Sequence, residues 1–206
     1  MYKLIALDMD GTTFNEEHEI SNEVKDSLFY AISKGVKIAF ISGREEFTVK
    51  EILKKLELDT YYGALNGSLI STTYSEVPKF VKSLEKKYIF DILDIVENNG
   101  FSPIVFLEDL IFTKDSNDEY VEIISKFISP KILRVKDIKE YIKNNNLEEK
   151  VLKIGICHEY EVLRGLEEKF TDTIKSEYTI SFSLPFFVEL MAKDTDKGSC
   201  LKEICR

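Results

Sequence analysis

The chain has 206 residues, of which 44% are hydrophobic and 32% are charged, and its formal net charge at pH 7 is −9. This length exceeds that of an ordinary single domain and predicts two domains, and the composition excludes a globally disordered chain. The acidic balance argues against nucleic acid as a partner, because proteins hold phosphate backbones with clustered Lys and Arg.

The cysteines and the apolar runs of the sequence indicate the cellular compartment of the protein. The three cysteines, Cys157, Cys200 and Cys205, show no Cys-x-x-Cys spacing and fit a reducing compartment better than a disulfide framework. The apolar run that ends at Leu7 is too short for a signal peptide, and no apolar stretch approaches about 18 residues. We therefore expect a cytoplasmic protein with no membrane partner.

The first 80 residues alternate short apolar runs with amphipathic stretches, which is typical of parallel strands covered by helices. In chain order the pattern predicts a strand at 3–7, a helix at 22–33 capped by Ser21, a strand at 36–41 and a helix at about 46–56. A strand segment at 62–65 then leads into Asn66-Gly67, and strands follow at 68–73 and 79–82. Functional loops collect at the carboxyl ends of parallel strands. We therefore expect Asp8, Asp10, Ser42 and Asn66, which follow such strands, to lie together.

The pattern changes after about residue 84. It predicts a helix at 88–98, a hairpin of 102–107 with 110–113, an amphipathic segment at 119–128, a helix with a polar loop in 136–146, strands at 151–157 and 178–182, and a helix at 161–170. This mixture indicates an α+β insert with a mostly antiparallel sheet. Leu184-Pro185 is interpreted as a return hinge, followed by a strand at 187–191 and a terminal helix opened by Lys197. The predicted domains are therefore 1–83 with 185–206, and 84–184.

Two features of this pattern indicate chemistry. The strand at 3–7 ends in Asp8-Met9-Asp10-Gly11-Thr12, and two carboxylates there need a cation, a hydrogen-bond network or a turn that reaches solvent. The alternative is an Asx-type turn with both carboxylates solvated. A lysine at a helix start, as at Lys197, opposes the positive end of the helix dipole, so it is a candidate functional residue or else a solvated surface lysine.

Four motifs in this order resemble those of the haloacid dehalogenase superfamily, and of its Cof-type hydrolases in particular: Asp8-Met9-Asp10-Gly11-Thr12, Ile41-Ser42-Gly43-Arg44, Leu65-Asn66-Gly67 and Asp196-Lys197-Gly198. The resemblance implies an α/β fold with a Rossmann-like parallel-sheet core and an inserted α+β cap. It also implies a magnesium-dependent phosphatase that acts on small phosphorylated metabolites.

The resemblance assigns catalytic roles to three residues. It implies that Asp8 attacks phosphorus and becomes an aspartyl phosphate, and that Asp10 acts as general acid and then as general base. Lys197 would offset the charge of the phosphoryl group. Asp8 and the backbone carbonyl of Asp10 would hold Mg²⁺, which prefers oxygen ligands.

The resemblance also implies a group of substrate-binding residues: Ser42, Gly43, Arg44 and Asn66. Ser42 would donate a hydrogen bond to the phosphoryl group, and Asn66 would line the same site. Arg44 could orient the substrate or pair with an acidic neighbour, and structural support is the favoured role. Thr12 and Thr13 are expected to stabilise the turn.

The chain departs from the family pattern in one respect. The pattern continues into a Gly-Asp-x-x-Asn-Asp motif whose aspartates complete the magnesium site, and this motif does not occur in the sequence. We therefore expect a fragment, a shortened homologue or a chain completed by a partner, with weak metal binding, reduced activity and an open core edge that favours self-association. The competing hypotheses are a non-enzymatic phosphate-binding relative and a phosphotransferase such as a sugar phosphomutase.

Overall fold

The computed structural model describes residues 2–15, 19–128 and 132–206 of the chain. It divides into two compact units, of which the first comprises Met1–Val81 with Asp196–Arg206 and the second comprises Lys82–Thr195. Both units combine helices with a β-sheet, so the α/β class predicted from the sequence is confirmed. Among the described residues, no helix has the length and apolar character needed to cross a membrane.

The sheet of the first unit explains how distant motifs come together. Its strands lie side by side in chain order: β1 (Leu4–Leu7), β2 (Lys37–Ile41), β3 (Tyr61–Ala64), β4 (Leu69–Thr72) and β5 (Phe80–Val81). The pairs β1–β2 and β2–β3 are parallel, whereas the pairs β3–β4 and β4–β5 are antiparallel. The carboxyl ends of β1, β2 and β3 therefore share one edge of the sheet, and this confirms the predicted parallel core.

Local sequence signals position the helices of the first unit, which are α1 (Asn22–Ser33), α2 (Glu46–Lys55) and α8 (Lys197–Ile204). The Ser21 hydroxyl caps α1 by accepting a hydrogen bond from the Val24 N–H at 3.3 Å. Gly35, with a φ of +79°, allows the chain to turn directly after this helix. The predicted bounds of α1 are confirmed.

Strand β1 lies at the end of the strand order and is paired with β2 alone among the described residues. Its Ile5 side chain is 37% exposed, whereas β2 is buried from Ile38 to Ile41. An edge strand with exposed apolar side chains can pair with another chain. Self-association through this edge stays a prediction.

The second unit contains a larger sheet with helices. Its strands are β6 (Ile104–Phe106), β7 (Ile111–Lys114), β8 (Leu133–Val135), β9 (Lys153–Cys157), β10 (Tyr178–Leu184) and β11 (Phe187–Ala192), arranged in the order β10-β11-β9-β6-β7-β8. Its helices are α3 (Lys86–Asn98), α4 (Glu119–Ile124), α5 (Ile138–Asn144), α6 (Tyr160–Lys169) and α7 (Asp172–Glu177). Every described pairing is antiparallel except β7 with β8, so the predicted α+β insert is confirmed.

The structure corrects the predicted place of the strand near residue 187. The sequence pattern predicts that 185–206 belong to the first domain, but β11 lies in the sheet of the second unit. It pairs with both β10 and β9, and all six of its residues are buried. Pro185 and Phe186 form the turn of the β10–β11 hairpin, so Leu184-Pro185 is not a return hinge. The first unit resumes at Asp196.

The second unit also buries an ion pair on adjacent strands. The Lys153 Nζ atom lies 2.5 Å from Glu189 Oε1, and the two side chains are 3% and 2% exposed. The same ammonium group lies 4.2 Å from the centre of the Phe106 ring. Each charge therefore depends on its partner to offset the loss of hydration.

We expect Glu189→Leu to lower the free energy of unfolding by about 3–5 kcal/mol, because it removes the carboxylate that offsets a buried ammonium charge. The double variant Lys153→Met/Glu189→Leu, which removes both charges, should unfold close to the wild type in urea titrations. Lys86→Ala, which breaks an exposed pair with Glu149, is the control and should not change the midpoint. Equal losses in the single and double variants would contradict this account.

Candidate active site

Asp8 ends β1 and begins a tight turn over Met9–Thr13. Its Oδ1 atom accepts a hydrogen bond from the Met9 N–H at 2.8 Å, and the Thr13 hydroxyl donates to its backbone carbonyl at 2.5 Å. Gly11 adopts a φ of +67°, a left-handed conformation that favours glycine. The turn-stabilising role expected of Thr13 is thus confirmed, and one carboxylate oxygen of Asp8 is committed to the turn.

The other oxygen of Asp8 meets Lys197, which lies 189 residues away in the sequence. The Lys197 Nζ atom is 2.5 Å from Asp8 Oδ2, and the two side chains are 44% and 34% exposed. Asp196 and Ser199 form a reciprocal capping box at the start of α8, with hydrogen bonds of 2.7 and 3.0 Å. The carboxylates of Asp8 and Asp196 offset the penalty of a cation at a helix start. Lys197 is therefore paired but still exposed to solvent, and its functional role stays a prediction.

Arg44 binds the second carboxylate of the first motif. Its Nε atom donates to Asp10 Oδ2 at 2.8 Å and its Nη2 atom donates to Asp10 Oδ1 at 2.6 Å, which is a bidentate arrangement. Hydrogen bonding to Asp10 raises the pKa of Arg44 above its usual value, although partial burial opposes this shift. Of the two roles that the sequence leaves open for Arg44, the structure shows pairing with an acidic neighbour.

The loops after β2 and β3 are joined by their backbones. The Asn66 N–H donates to the Ser42 carbonyl at 2.9 Å, and the Leu65 N–H donates to the Arg44 carbonyl at 2.8 Å. Ser42 is fully buried, and its hydroxyl accepts a hydrogen bond from the Arg44 N–H at 3.1 Å. A side chain at Gly43 would place its Cβ 3.1 Å from Asn66 Oδ1. The substrate-binding residues predicted from the sequence are therefore neighbours.

The sequence predicts no packing role for three residues that contribute to this arrangement, although Gly67 belongs to the third motif: Gly63, Gly67 and Cys200. Cys200 lies on α8, is 2% exposed and packs against both glycines. Burial raises the pKa of its thiol to about 12, so it is not a nucleophile near neutral pH. Leu201 and Ile204 are partly buried and pack against the same apolar cluster as Cys200. The one feature of the sequence that could indicate the packing of Cys200 is that a small residue follows Lys197 by about one helical turn.

The geometry gathers all four motifs at the carboxyl edge of β1, β2 and β3. Two carboxylates, Asp8 and Asp10, each face a cation from a distant segment. No group of three or more His, Cys, Asp or Glu side chains suited to a metal occurs within residues 2–15, 19–128 and 132–206. The donors that remain, the Asp8 carboxylate and the Asp10 carbonyl, are oxygens of the kind that Mg²⁺ takes together with phosphate and water. These two donors fit a Mg²⁺ ion that takes few of its ligands from the protein.

Comparison with known proteins identifies the family of the chain. A family model described as haloacid dehalogenase-like hydrolase matches residues 5–206. The chain belongs to this hydrolase family. The match spans all four motifs and confirms the resemblance on which the predicted enzyme class rests.

Individual known proteins resemble the chain over nearly its whole length. YxeH of Bacillus subtilis is 27% identical over an alignment of 209 positions, which covers 100% of this chain and 76% of YxeH. The HMP-PP phosphatase of Cronobacter sakazakii is 24% identical over 99% of this chain and 72% of its own length. A crystal structure of a haloacid dehalogenase-like hydrolase from Bacteroides thetaiotaomicron superposes with a TM-score of 0.84 at 23% identity, covering 99% of this chain and 76% of that chain. This last likeness shows the shared fold.

Proposed function

We propose that the protein is a magnesium-dependent phosphatase that hydrolyses small phosphorylated metabolites through an aspartyl phosphate. The observation that carries the proposal is the 2.5 Å ion pair between Lys197 and Asp8 at the end of β1. It places a cation beside a carboxylate that can act as a nucleophile toward phosphorus. The family match and the phosphatase named among its relatives support the same class of reaction.

In the first step an Asp8 oxygen attacks phosphorus, and the bond from phosphorus to the leaving oxygen breaks. Asp10 in its acid form gives its proton to that oxygen, and Asp8 is left as a mixed anhydride. In the second step water attacks phosphorus, Asp10 accepts its proton, and the phosphorus bond to Asp8 breaks. Inorganic phosphate leaves, and both carboxylates return to their starting forms.

Electrostatic positioning supplies the rest of the catalysis. Lys197 can move its ammonium group from the Asp8 carboxylate to the phosphoryl oxygens as charge develops there. Ser42 and Asn66 come from the joined loops after β2 and β3, which makes them rigid donors. The Asp8 carboxylate and the Asp10 carbonyl would hold Mg²⁺, which supplies further neutralisation of phosphoryl charge.

Arg44 contributes by orienting Asp10. Its two hydrogen bonds occupy both carboxylate oxygens and fix the plane of the carboxyl group. This role differs from the substrate binding that the resemblance implied for Arg44.

The direct test is release of phosphate from p-nitrophenyl phosphate by this 206-residue chain, with Mg²⁺ or with a chelator. We expect turnover with Mg²⁺ and a rate about 10²–10³ lower with chelator, because a large electrostatic contribution is removed. Absence of turnover by folded protein would favour a phosphate-binding relative. Acceleration of p-nitrophenolate release by an added alcohol, with transfer of phosphate to it, would favour a phosphotransferase.

A further inference from the structure

We infer that Cys200 is a positioning residue whose packing on Gly63 and Gly67 sets the distance between Lys197 and Asp8. The inference rests on the proposed function only for its kinetic readout. Cys200 lies on α8, Gly63 lies in β3, and Gly67 lies in the turn that follows. All of these residues belong to the first unit.

The contact leaves no room for side chains on the two glycines. A Cβ at Gly63 would overlap the Cys200 Sγ atom, and a Cβ at Gly67 would lie 2.5 Å from the Cys200 Cβ. The same hypothetical Cβ at Gly67 would lie 3.3 Å from the Asp196 carbonyl, at the start of α8. The helix therefore rests directly on the backbone of β3 and its turn, within a small apolar cluster that includes Ile41 and Ile70.

This contact is mechanically linked to Lys197. Cys200 follows Lys197 by three positions, so the two side chains share one side of the first turns of α8. The Cys200 N–H donates to the Asp196 carbonyl at 3.0 Å, so the backbone of the first turn, which includes Lys197, is tied to Cys200. Any displacement of Cys200 from the glycines therefore carries Lys197 with it. A misplacement of about 1 Å at a reacting group can cost about 100-fold in rate.

The test combines Gly63→Ala, which adds volume at the contact, with Cys200→Ala, which removes it. Gly63→Ala is expected to push α8 outward and to lower kcat on p-nitrophenyl phosphate about 100-fold, with a smaller change in KM. Adding Cys200→Ala removes the Sγ atom. The neighbours of the new Cβ at position 63 are then the Ile41 Cγ2 and residue 200 Cβ atoms, at 3.5 and 3.7 Å, which are ordinary contact distances. The double variant should therefore recover kcat to within a few-fold of Cys200→Ala alone.

Gly67→Ala provides the matched control. Its Cβ would meet the Cβ of residue 200, which remains in Cys200→Ala, and Gly67 has a φ of +103° that disfavours any side chain. Cys200→Ala should consequently fail to rescue Gly67→Ala. Because Cys200→Ala would relieve a loss of stability as well, the unfolding midpoints of the same variants are measured, and the inference requires that kcat falls in Gly63→Ala that is still folded. If Gly63→Ala does not fold, Cys200→Val, which adds a methyl group at the same contact, should give the loss of kcat in its place.

Crystal structures of the variants supply a readout that does not depend on activity. The distance from Lys197 Nζ to Asp8 Oδ2 should lengthen in Gly63→Ala and return in the double variant. An unchanged distance, an unchanged kcat in folded Gly63→Ala, or failure of Cys200→Ala to rescue it would overturn the inference. If the wild type releases no phosphate, the proposed function fails, while these distances still decide whether Cys200 positions Lys197.

Discussion

Asp8→Asn is expected to lower kcat for p-nitrophenyl phosphate by about 10⁴-fold or more, since it removes the attacking oxygen from the proposed covalent step. An amide oxygen can still accept the Met9 N–H, so the turn at the end of β1 should persist. The loss should thus appear in kcat with the unfolding midpoint close to that of the wild type. Steady-state kinetics with Mg²⁺ and thermal unfolding measure the two quantities.

The control for this variant is Asp26→Asn, which makes the same chemical change at an exposed position of α1. It should leave kcat unchanged. Residual activity in Asp8→Asn above about one part in a hundred would contradict the role of Asp8 as nucleophile, because removal of a covalent nucleophile costs far more. Loss of secondary structure in Asp8→Asn would instead indicate that the ion pair with Lys197 holds α8 in place.

Asp10→Asn is expected to reduce kcat by about 10²–10⁴-fold, the usual contribution of a general acid or base. The reduction should depend on the leaving group. A p-nitrophenolate ion departs without a proton, so the first step on that substrate should survive, whereas an alkyl phosphate needs the proton that Asp10 gives. Hydrolysis of the aspartyl phosphate still needs a base. The variant should therefore release a burst of one p-nitrophenolate per chain and then turn over slowly.

Stopped-flow absorbance measures this burst, and intact-mass spectrometry measures the phosphoryl adduct on the chain. Arg44→Lys is the matched variant, since it keeps one positive charge beside Asp10 but cannot form the bidentate pair. It should show a smaller loss of kcat and no accumulated adduct. Equal losses on aryl and alkyl phosphates, without a burst, would leave Asp10 with a structural role alone.

Local signals in the sequence predict much of the first unit. Ser21 and Gly35 bracket α1, and alternating apolar runs locate β1 and β2 to within a residue or so. The convergence of the motifs could be predicted because each of the first three follows a strand of the core sheet. The short elements α7 and β8 are missed, because α7 buries only Ile174 and β8 is a three-residue edge strand with a single buried residue. Neither carries a clear periodic pattern.

Local sequence signals do not predict which side chains pair with each other. Arg44 and Asp10 are 34 residues apart, so their bidentate geometry depends on how two loops sit on the sheet. The sequence also does not show which sheet β11 joins, because a buried apolar strand could lie in the sheet of either unit. Cys200 looks like an ordinary small apolar residue until the glycines opposite it are known.

The position of Lys197 has a consequence for the order in which a ribosome makes the protein. The residues of the second unit are continuous, from Lys82 to Thr195, so all of them are synthesised before any residue of α8. The first unit lacks α8 until Asp196–Arg206 follow. Translation from Val81 to Arg206 takes roughly 6 to 25 s at about 5–20 residues per second. During this interval Asp8 has no lysine partner from α8, so the proposed catalytic pair forms only after the second unit has been made.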